Sequence, residues 1–299
     1  MNTYIDYLQY QRSPSGLESA SLLGNPMRLS TVANALATTL NNTPNLTVQL
    51  NAYDQVTIFD GPNSEVVIVA ANVAAGASSF TIQAPGLQFQ HAAGIPMCGN
   101  GVLGSLADQI VDASAWLEAD FTYQPLFQAT YTGEILPLPS MQASIDNQNM
   151  LVFRPKHFPV TAVSAISIAA IQGQGMVLDA TQAFIDANQQ YVRVPVLNAT
   201  GPASQVYFPQ QPFNRRMQQW LTITYTAGYT QAQLPPDIRD VAVLLTSVIL
   251  SRRQNPTGAD QLDFADKKIV ATLRGDNTGE GSLVKEARRK ASRYKVKAI

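Results

Sequence analysis

The chain has 299 residues, room for one large domain or two small ones around a sizeable buried core. Apolar residues make up an ordinary 45%, but charged residues only 14%, against roughly 25% in a typical globular protein. A single cysteine, Cys98, excludes a disulfide framework and a Cys-rich zinc site and fits synthesis in a reducing, intracellular place. No apolar run approaches the 18 residues of a membrane-spanning helix, and the opening MNTYIDYLQYQRS lacks the basic and apolar regions of a signal peptide.

Gln, with 26 copies, takes much of the place that charged residues leave. A neutral polar surface repels its own copies weakly and suits a subunit that packs against itself. The net charge of −1 hides an asymmetry. Residues 1–150 hold two basic residues, Arg12 and Arg28, against eleven acidic ones; residues 151–299 hold eighteen basic against ten acidic. Such a split marks an oriented partner or a nucleic-acid contact.

In chain order, residues 1–24 are polar without a clear period and read as an N-terminal arm or peripheral segment. Residues 25–97 read as a β-rich subdomain. Within it Val48 and Leu50 alternate with polar neighbours. Gln55–Phe59 and Glu65–Ala70 flank the turn Asp60-Gly61-Pro62-Asn63, a hairpin signal. Ser79–Gln83 adds a strand with Phe80 and Ile82 on one face. The spacing of Leu106, Ile110, Ala113, Leu117 and Phe121 predicts an amphipathic helix over 105–121, capped by Ser105 with Asp108 in capping-box position.

Strands return at Leu151–Phe153, Val160–Ile171, Tyr191–Val196 and Trp220–Thr226, all rich in β-branched and aromatic residues. Residues 198–216 read as a long loop. Pro235-Pro236-Asp237 opens a helix carrying Ile238, Val241, Leu245 and Val248, which Asn255-Pro256-Thr257-Gly258 breaks. A second helix is expected over 259–273, with Leu262, Ala265, Ile269 and Leu273 on one side. A polar connector follows from Gly275 to Gly281. Ser282 then caps a last helix with Leu283, Ala287, Ala291 and Tyr294 on one face. No internal repeat is visible. Strands, helix, strands, then helices make an α+β protein rather than a βαβ alternation. The expected divisions are 1–24, 25–97, a core at 98–255, and C-terminal helices with a basic tail at 256–299.

Chemistry-bearing motifs are few. Gly99-Asn100-Gly101-Val102-Leu103-Gly104 matches G-x-G-x-x-G before a helix. A dinucleotide site needs a strand just before the motif and a βαβ unit around it. Ala93–Met97 reads as a loop, so a flexible lead into a helix is the better account; a nucleotide-binding enzyme is the alternative. Cys98, His91 and His157 lie at no spacing typical of zinc, and Cys98 reads as a small buried residue. Asp237 and Asp240 read as first-turn groups that complement a helix dipole. No catalytic, cofactor-binding or metal-binding residue is assigned, and the chain is expected not to be an enzyme.

The sharpest electrostatic feature is the end of the chain. Lys285, Arg288, Arg289, Lys290, Arg293, Lys295 and Lys297 stand against the single acid Glu286. Such a run can dock on an acidic protein surface, bind phosphates, or be a solvated helix end whose cations favour the C-terminal dipole. A helix-turn-helix outline over 237–273 carries Asp260, Asp263 and Asp266 on its second helix, which would repel DNA.

Two stretches carry a family resemblance. One is the helix Leu106-Ala107-Asp108-Gln109-Ile110-Val111-Asp112-Ala113-Ser114-Ala115-Trp116-Leu117-Glu118. The other runs from the strand Pro159-Val160-Thr161-Ala162-Val163 to Tyr225-Thr226-Ala227-Gly228-Tyr229 and on through Leu234-Pro235-Pro236-Asp237-Ile238 into a helix ending Ser251-Arg252-Arg253. Over about 105–255, half the chain, this order resembles the head–tail connector (adaptor) proteins of tailed bacteriophages. The resemblance implies a non-catalytic virion protein at the head–tail junction, made in the host cytoplasm, without a cofactor or a membrane. It implies a ring, commonly of twelve copies, beneath the portal protein. Such a ring extends the channel for double-stranded DNA, without sequence-specific binding, and meets a downstream neck or tail protein. A ring closes through head-to-tail interfaces. On this reading the seven basic residues of the tail dock on the portal. A stopper, a tail terminator or a DNA-binding protein are the remaining alternatives.

Overall fold

The computed structural model describes residues 1–13, 25–99, 106–138, 140–146, 150–169, 175–196, 219–254, 262–264, 267–269 and 282–295. The protein is α+β and divides into two compact units. The first holds Met1–Tyr123 and Leu234–Lys295; the second holds Gln124–Gln233. The strand-rich middle of the chain is thus a unit of its own between two parts of the other.

The first unit begins with α1 (Tyr7–Arg12), followed by β1 (Pro26–Leu29), β2 (Thr39–Thr43), β3 (Gln55–Ile58), β4 (Glu65–Ile68), β5 (Ser79–Thr81) and β6 (Pro96–Gly99). The strands pair antiparallel in the order β4-β3-β6-β1-β2-β5. The two ends of that order also meet. Val69 bridges Ile82, and the Gln83 and Ala70 amides donate to the Ile68 and Thr81 carbonyls at 2.8 and 2.9 Å. The sheet therefore closes on itself as a small barrel, which leaves no long free edge. Facing pairs such as Met27↔Met97, Ile58↔Met97, Val56↔Val67 and Leu40↔Phe80 bring buried side chains together in its core.

The hairpin expected around Asp60-Gly61-Pro62-Asn63 is present as β3 and β4. Phe80 and Ile82 are both buried, as their alternation requires. Val48 and Leu50 do not share a face: Leu50 is buried and Val48 is 57% exposed. The reason is local. Buried Asn25 takes up the segment's backbone groups through its side chain, accepting from the Thr47 and Val48 amides at 2.9 Å and donating to the Val48 carbonyl at 2.9 Å. Those groups need no strand partner.

One turn recurs although no repeat is visible in the sequence. Asn34–Ala37, Asn51–Asp54 and Ala74–Ala77 are each closed by a backbone hydrogen bond, and each has a left-handed residue in third place: Leu36, Tyr53 and Gly76. Glycine suits that backbone, whereas a side chain there costs roughly 1–2 kcal/mol. The recurring feature is a backbone shape, which different residue types fill.

Residues 1–13 pack into the first unit rather than forming a detached arm. Asp6 caps α1 by accepting from the Gln9 amide at 2.7 Å, and the Gln9 side chain accepts from the Asp6 amide at 3.2 Å. Tyr4, Ile5, Tyr7 and Tyr10 are buried, and the Tyr10 hydroxyl meets that of Ser247 at 3.1 Å. Tyrosine hides an apolar ring while its hydroxyl keeps a partner, so a polar-looking segment still supplies core.

The helix expected over 105–121 is α2 (Leu106–Trp116), which passes into a π-helical turn at Leu117–Thr122. Leu106, Ile110, Ala113, Leu117 and Phe121 are all buried, as their spacing requires. The proposed cap Ser105 lies outside the described residues.

The second unit is a sandwich of two antiparallel four-stranded sheets over one core. Its strands are β7 (Ala129–Leu138), β8 (Ala143–Ile145), β9 (Met150–Phe153), β10 (Val160–Ala169), β11 (Gly175–Leu178), β12 (Phe184–Ile185), β13 (Val192–Pro195) and β14 (Gln219–Ala227). They pair as β11-β10-β14-β7 and β12-β13-β9-β8. Leu221, Ile223 and Tyr225 of β14 are fully buried and alternate with threonines, as read from the sequence. The long β7 has no counterpart among the expected strands, because Gly133, Glu134 and Pro137 break its apolar alternation.

Back in the first unit, α3 (Pro236–Gln254) buries Ile238, Val241, Leu245 and Val248. The helix expected over 259–273 is not formed where residues are described. β15 (Leu262–Phe264) and β16 (Lys267–Ile269) pair antiparallel, Leu262↔Ile269 through Phe264↔Lys267. Residues seven apart share a helix face, but they also face each other across a hairpin with a two-residue turn, so the spacing of Leu262 and Ile269 fits both. The last helix, α4 (Ser282–Ala291), buries Val284, Ala287 and Ala291, with Leu283 only half-buried. The 198–216 loop, the break at 255–258 and the 275–281 connector lie outside the described residues.

Candidate functional site

The basic C-terminal helix is the strongest candidate, and its environment begins with α3. Asp237 and Asp240 lie at the start of that helix. The Lys290 ammonium donates to Asp240 Oδ2 at 2.8 Å, and Arg293 reaches Asp237 Oδ2 at 3.1 Å. Both acids were read as dipole groups; the fold also makes them partners of the tail. Arg289 donates twice to Glu286 within α4, at 2.8 and 2.7 Å, and holds that carboxyl below its ordinary range. Arg288 stands over the Phe121 ring at 5.3 Å from its centroid, and Lys295 over Tyr123 at 4.7 Å. Cations on aromatic faces are worth about 0.5–1 kcal/mol when exposed, and exposed ion pairs contribute about 0–1 kcal/mol.

The structure therefore brings Arg288, Lys290, Arg293 and Lys295 onto the turn that follows α2 and the start of α3, while Arg289 pairs within its own helix. Lys285 is half-buried, and Lys297 lies outside the described residues. Phe121 and Tyr123 escaped the sequence reading of the tail because they lie more than 160 residues from it in the sequence. Arg289 and Arg293 still expose 71% and 69% of their side chains, so their cations reach solvent while bonded.

The glycine-rich motif has a different context from the one expected. Residues 96–99 are strand β6, not loop, because Pro96, Met97 and Cys98 fill the barrel between β1 and β3. A strand does precede the motif. It is antiparallel to both neighbours, however, and the next strand in the chain, β7, belongs to the other unit's sheet. This is no βαβ unit. Residues 100–104 lie outside the described residues. Cys98 is fully buried, as expected of a small apolar side chain.

The two histidines sit in unlike clusters. His91 is completely buried, with Nδ1 2.8 Å from Asp60 Oδ2 and Nε2 2.7 Å from Glu65 Oε1. Burial alone pushes an imidazole pKa down, but hydrogen bonds and charge from Asp60 and Glu65 reverse this, and the net shift is upward. His157 stacks on Tyr131, centroids 3.9 Å apart and planes 8° from parallel. Its Nδ1 is buried without a hydrogen-bond partner, and burial, with the Lys156 charge, lowers its pKa to about 4. Next to it the Tyr225 hydroxyl donates to Glu134 Oε2 and accepts from the His157 amide at 3.1 Å. Glu134 Oε1 accepts from the Lys156 amide at 2.9 Å. These contacts tie β7, β14 and the segment before β10 together.

Among the described residues, no group of three or more His, Cys, Asp or Glu is placed to hold a metal ion, and no helix is long and apolar enough to cross a membrane. Neither a family model nor a curated protein matches the chain. Three solved chains match it. One belongs to the neck of an empty GTA particle computed with C6 symmetry, with 17% identity over 65% of this chain and 78% of that chain and a TM-score of 0.32. A likeness that distant carries no argument about fold or function.

Proposed function

We propose that this chain is a structural virion protein, a head–tail connector that forms a ring under the portal, extends the DNA channel and joins the capsid to the tail. The observation that carries the reading is the meeting of the two strand motifs on which the resemblance rests. Val160 pairs with Ala227, and the Gly228 amide donates to the Pro159 carbonyl at 2.8 Å. Gly228 has φ +106, and a Cβ there would lie 2.5 Å from the Phe127 carbonyl oxygen. The glycine of Tyr225-Thr226-Ala227-Gly228-Tyr229 is thus demanded by close backbone approach. Segments 66 residues apart in the sequence form one structural element, so the shared order of the motifs has a physical basis.

In this role the chain is not an enzyme. Its copies close a ring of about twelve through head-to-tail contacts. The cationic groups around Arg289 and Arg293 face the portal, and another face meets a downstream neck or tail protein. Deleting 282–299 would be a poor test, because Val284, Ala287 and Ala291 are part of the core. The better variant is Arg289→Glu, which changes an exposed charge. Co-expression with the portal protein, followed by particle reconstruction, is expected to show a ring below the portal for the native chain and a weakened one for Arg289→Glu. A chain that stays monomeric beside the portal sinks the proposal; unchanged assembly of the variant removes Arg289 from the docking surface.

A further inference from the structure

His91 ties together more than its own segment. Its amide and carbonyl bridge to Ala33, with the amide donating to the Ala33 carbonyl at 2.8 Å. Its ring joins Asp60, just after β3, to Glu65, the first residue of β4. Glu65 in turn accepts from the Gln88 and Phe89 amides at 2.8 and 3.2 Å. Between the two acids, the turn 61–64 receives the start of the chain. The Thr3 amide donates to the Gly61 carbonyl at 3.0 Å, the Thr3 and Ser64 hydroxyls meet at 2.5 Å, and the terminal ammonium donates to the Ser64 carbonyl at 2.9 Å. The Ser64 hydroxyl also accepts from the Asp60 amide at 2.8 Å.

Both ring nitrogens lie at hydrogen-bond distance from carboxyl oxygens, so a ring protonated on both nitrogens donates to each of them. Hydrogen bonds and charge from Asp60 and Glu65 favour that imidazolium. Remove its charge, and two carboxylates share a buried site with a ring that can donate to one of them only. We propose that His91 is a pH-operated clamp on the start of the chain: charged, it holds the 60–65 turn in the shape that binds residues 1–3, and discharged, it releases them.

The titratable groups facing the ring are Asp60 from the loop after β3 and Glu65 from β4. The adjoining Ala33, Gln88, Phe89 and Gln90 are uncharged, and the terminal ammonium lies beyond the turn at Ser64. The folded pKa of His91 lies above the ordinary 6.5. The clamp is therefore complete below that pH, weakens as pH rises toward the folded pKa, and levels off above it.

The test is nuclear magnetic resonance of the full chain. Nitrogen-15 imidazole shifts at pH 6 are expected to show His91 with two N–H groups. Hydrogen exchange at the Thr3 amide, corrected for its intrinsic pH dependence, is expected to lose protection by up to about tenfold per pH unit between 6.5 and the folded pKa. Amides of β14 should stay protected throughout. In His91→Gln, which keeps one donor and no charge, Thr3 protection is expected to be low and independent of pH. The native chain alone decides the matter if that variant does not fold. A singly protonated His91 at pH 6, or Thr3 protection that does not change with pH, overturns the clamp. Loss of protection at β14 in step with Thr3 also overturns it, since that is general unfolding.

Discussion

The barrel unit and the sandwich unit each hold one histidine, and they shift its pKa in opposite directions. In the barrel, His91 lies between Asp60 and Glu65, and their hydrogen bonds and charge raise its pKa. In the sandwich, His157 lies flat against Tyr131 with Nδ1 unpartnered and is held neutral, its pKa near 4. Burial pushes both the same way; what differs is whether a carboxylate reaches the ring. The sandwich also has a carboxylate, Glu134, which bonds the Tyr225 hydroxyl and the Lys156 amide but not His157 Nδ1. The direction of a histidine's pKa shift inside a protein is thus decided by which neighbours reach its ring.

The largest effect expected is on the barrel. His91→Gln leaves buried Glu65 and partly exposed Asp60 without their cation, and breaking such a site costs up to roughly 3–5 kcal/mol. Denaturant unfolding at pH 6 should show this loss, and a loss below about 1 kcal/mol would mean that the ring is not charged. Next comes the backbone of the sandwich. Gly228→Ala forces a Cβ against the Phe127 carbonyl and is expected to cost about 2–4 kcal/mol by the same measurement. A near-neutral result would show that the β10–β14 corner yields, and would weaken the basis of the connector reading.

A smaller effect separates the histidines by pH. The unfolded chain takes up a proton at His157 near pH 6.5, whereas the folded chain does so near 4. Stability should therefore fall as pH drops from 6.5 to 4, by about 1–2 kcal/mol once solvent screening of a half-buried ring is allowed for. His157→Phe keeps the stack on Tyr131 and should abolish that acid slope. If the slope persists, another group is responsible for it. The smallest effect belongs to the tail. Asp237→Asn with Asp240→Asn removes two exposed ion pairs and should cost about 1 kcal/mol or less, with most of it gone in 1 M salt. A salt-independent loss would show that these carboxylates serve α3 itself.

Much of the fold was legible where local period and burial agree. The stripe of α2, the alternation of Leu221, Ile223 and Tyr225, and the hairpin around Asp60-Gly61-Pro62-Asn63 all stand as read. Two of the misses share a cause, since each rests on a partner remote in the sequence. β2, Thr39-Leu40-Asn41-Asn42-Thr43, is polar by composition and becomes a strand because β1 and β5 pair with it. Residues 1–13 look like an arm until Ser247 meets Tyr10. The spacing of Leu262 and Ile269 admits a helix and a hairpin alike, and the chain takes the hairpin.

The sequence by itself determined the α+β class, the split of charge and the basic C-terminal helix, because composition and short-range periodicity act within a few residues. It also placed seven cations near the end of the chain without saying where they go. Tertiary structure alone decided that four of them meet Phe121, Tyr123, Asp237 and Asp240. It alone decided that the first sheet closes into a barrel and that one histidine's pKa is raised while the other's is lowered. Each of these outcomes depends on which groups approach within about 3–6 Å, and no local pattern encodes that distance when the groups lie tens or hundreds of residues apart.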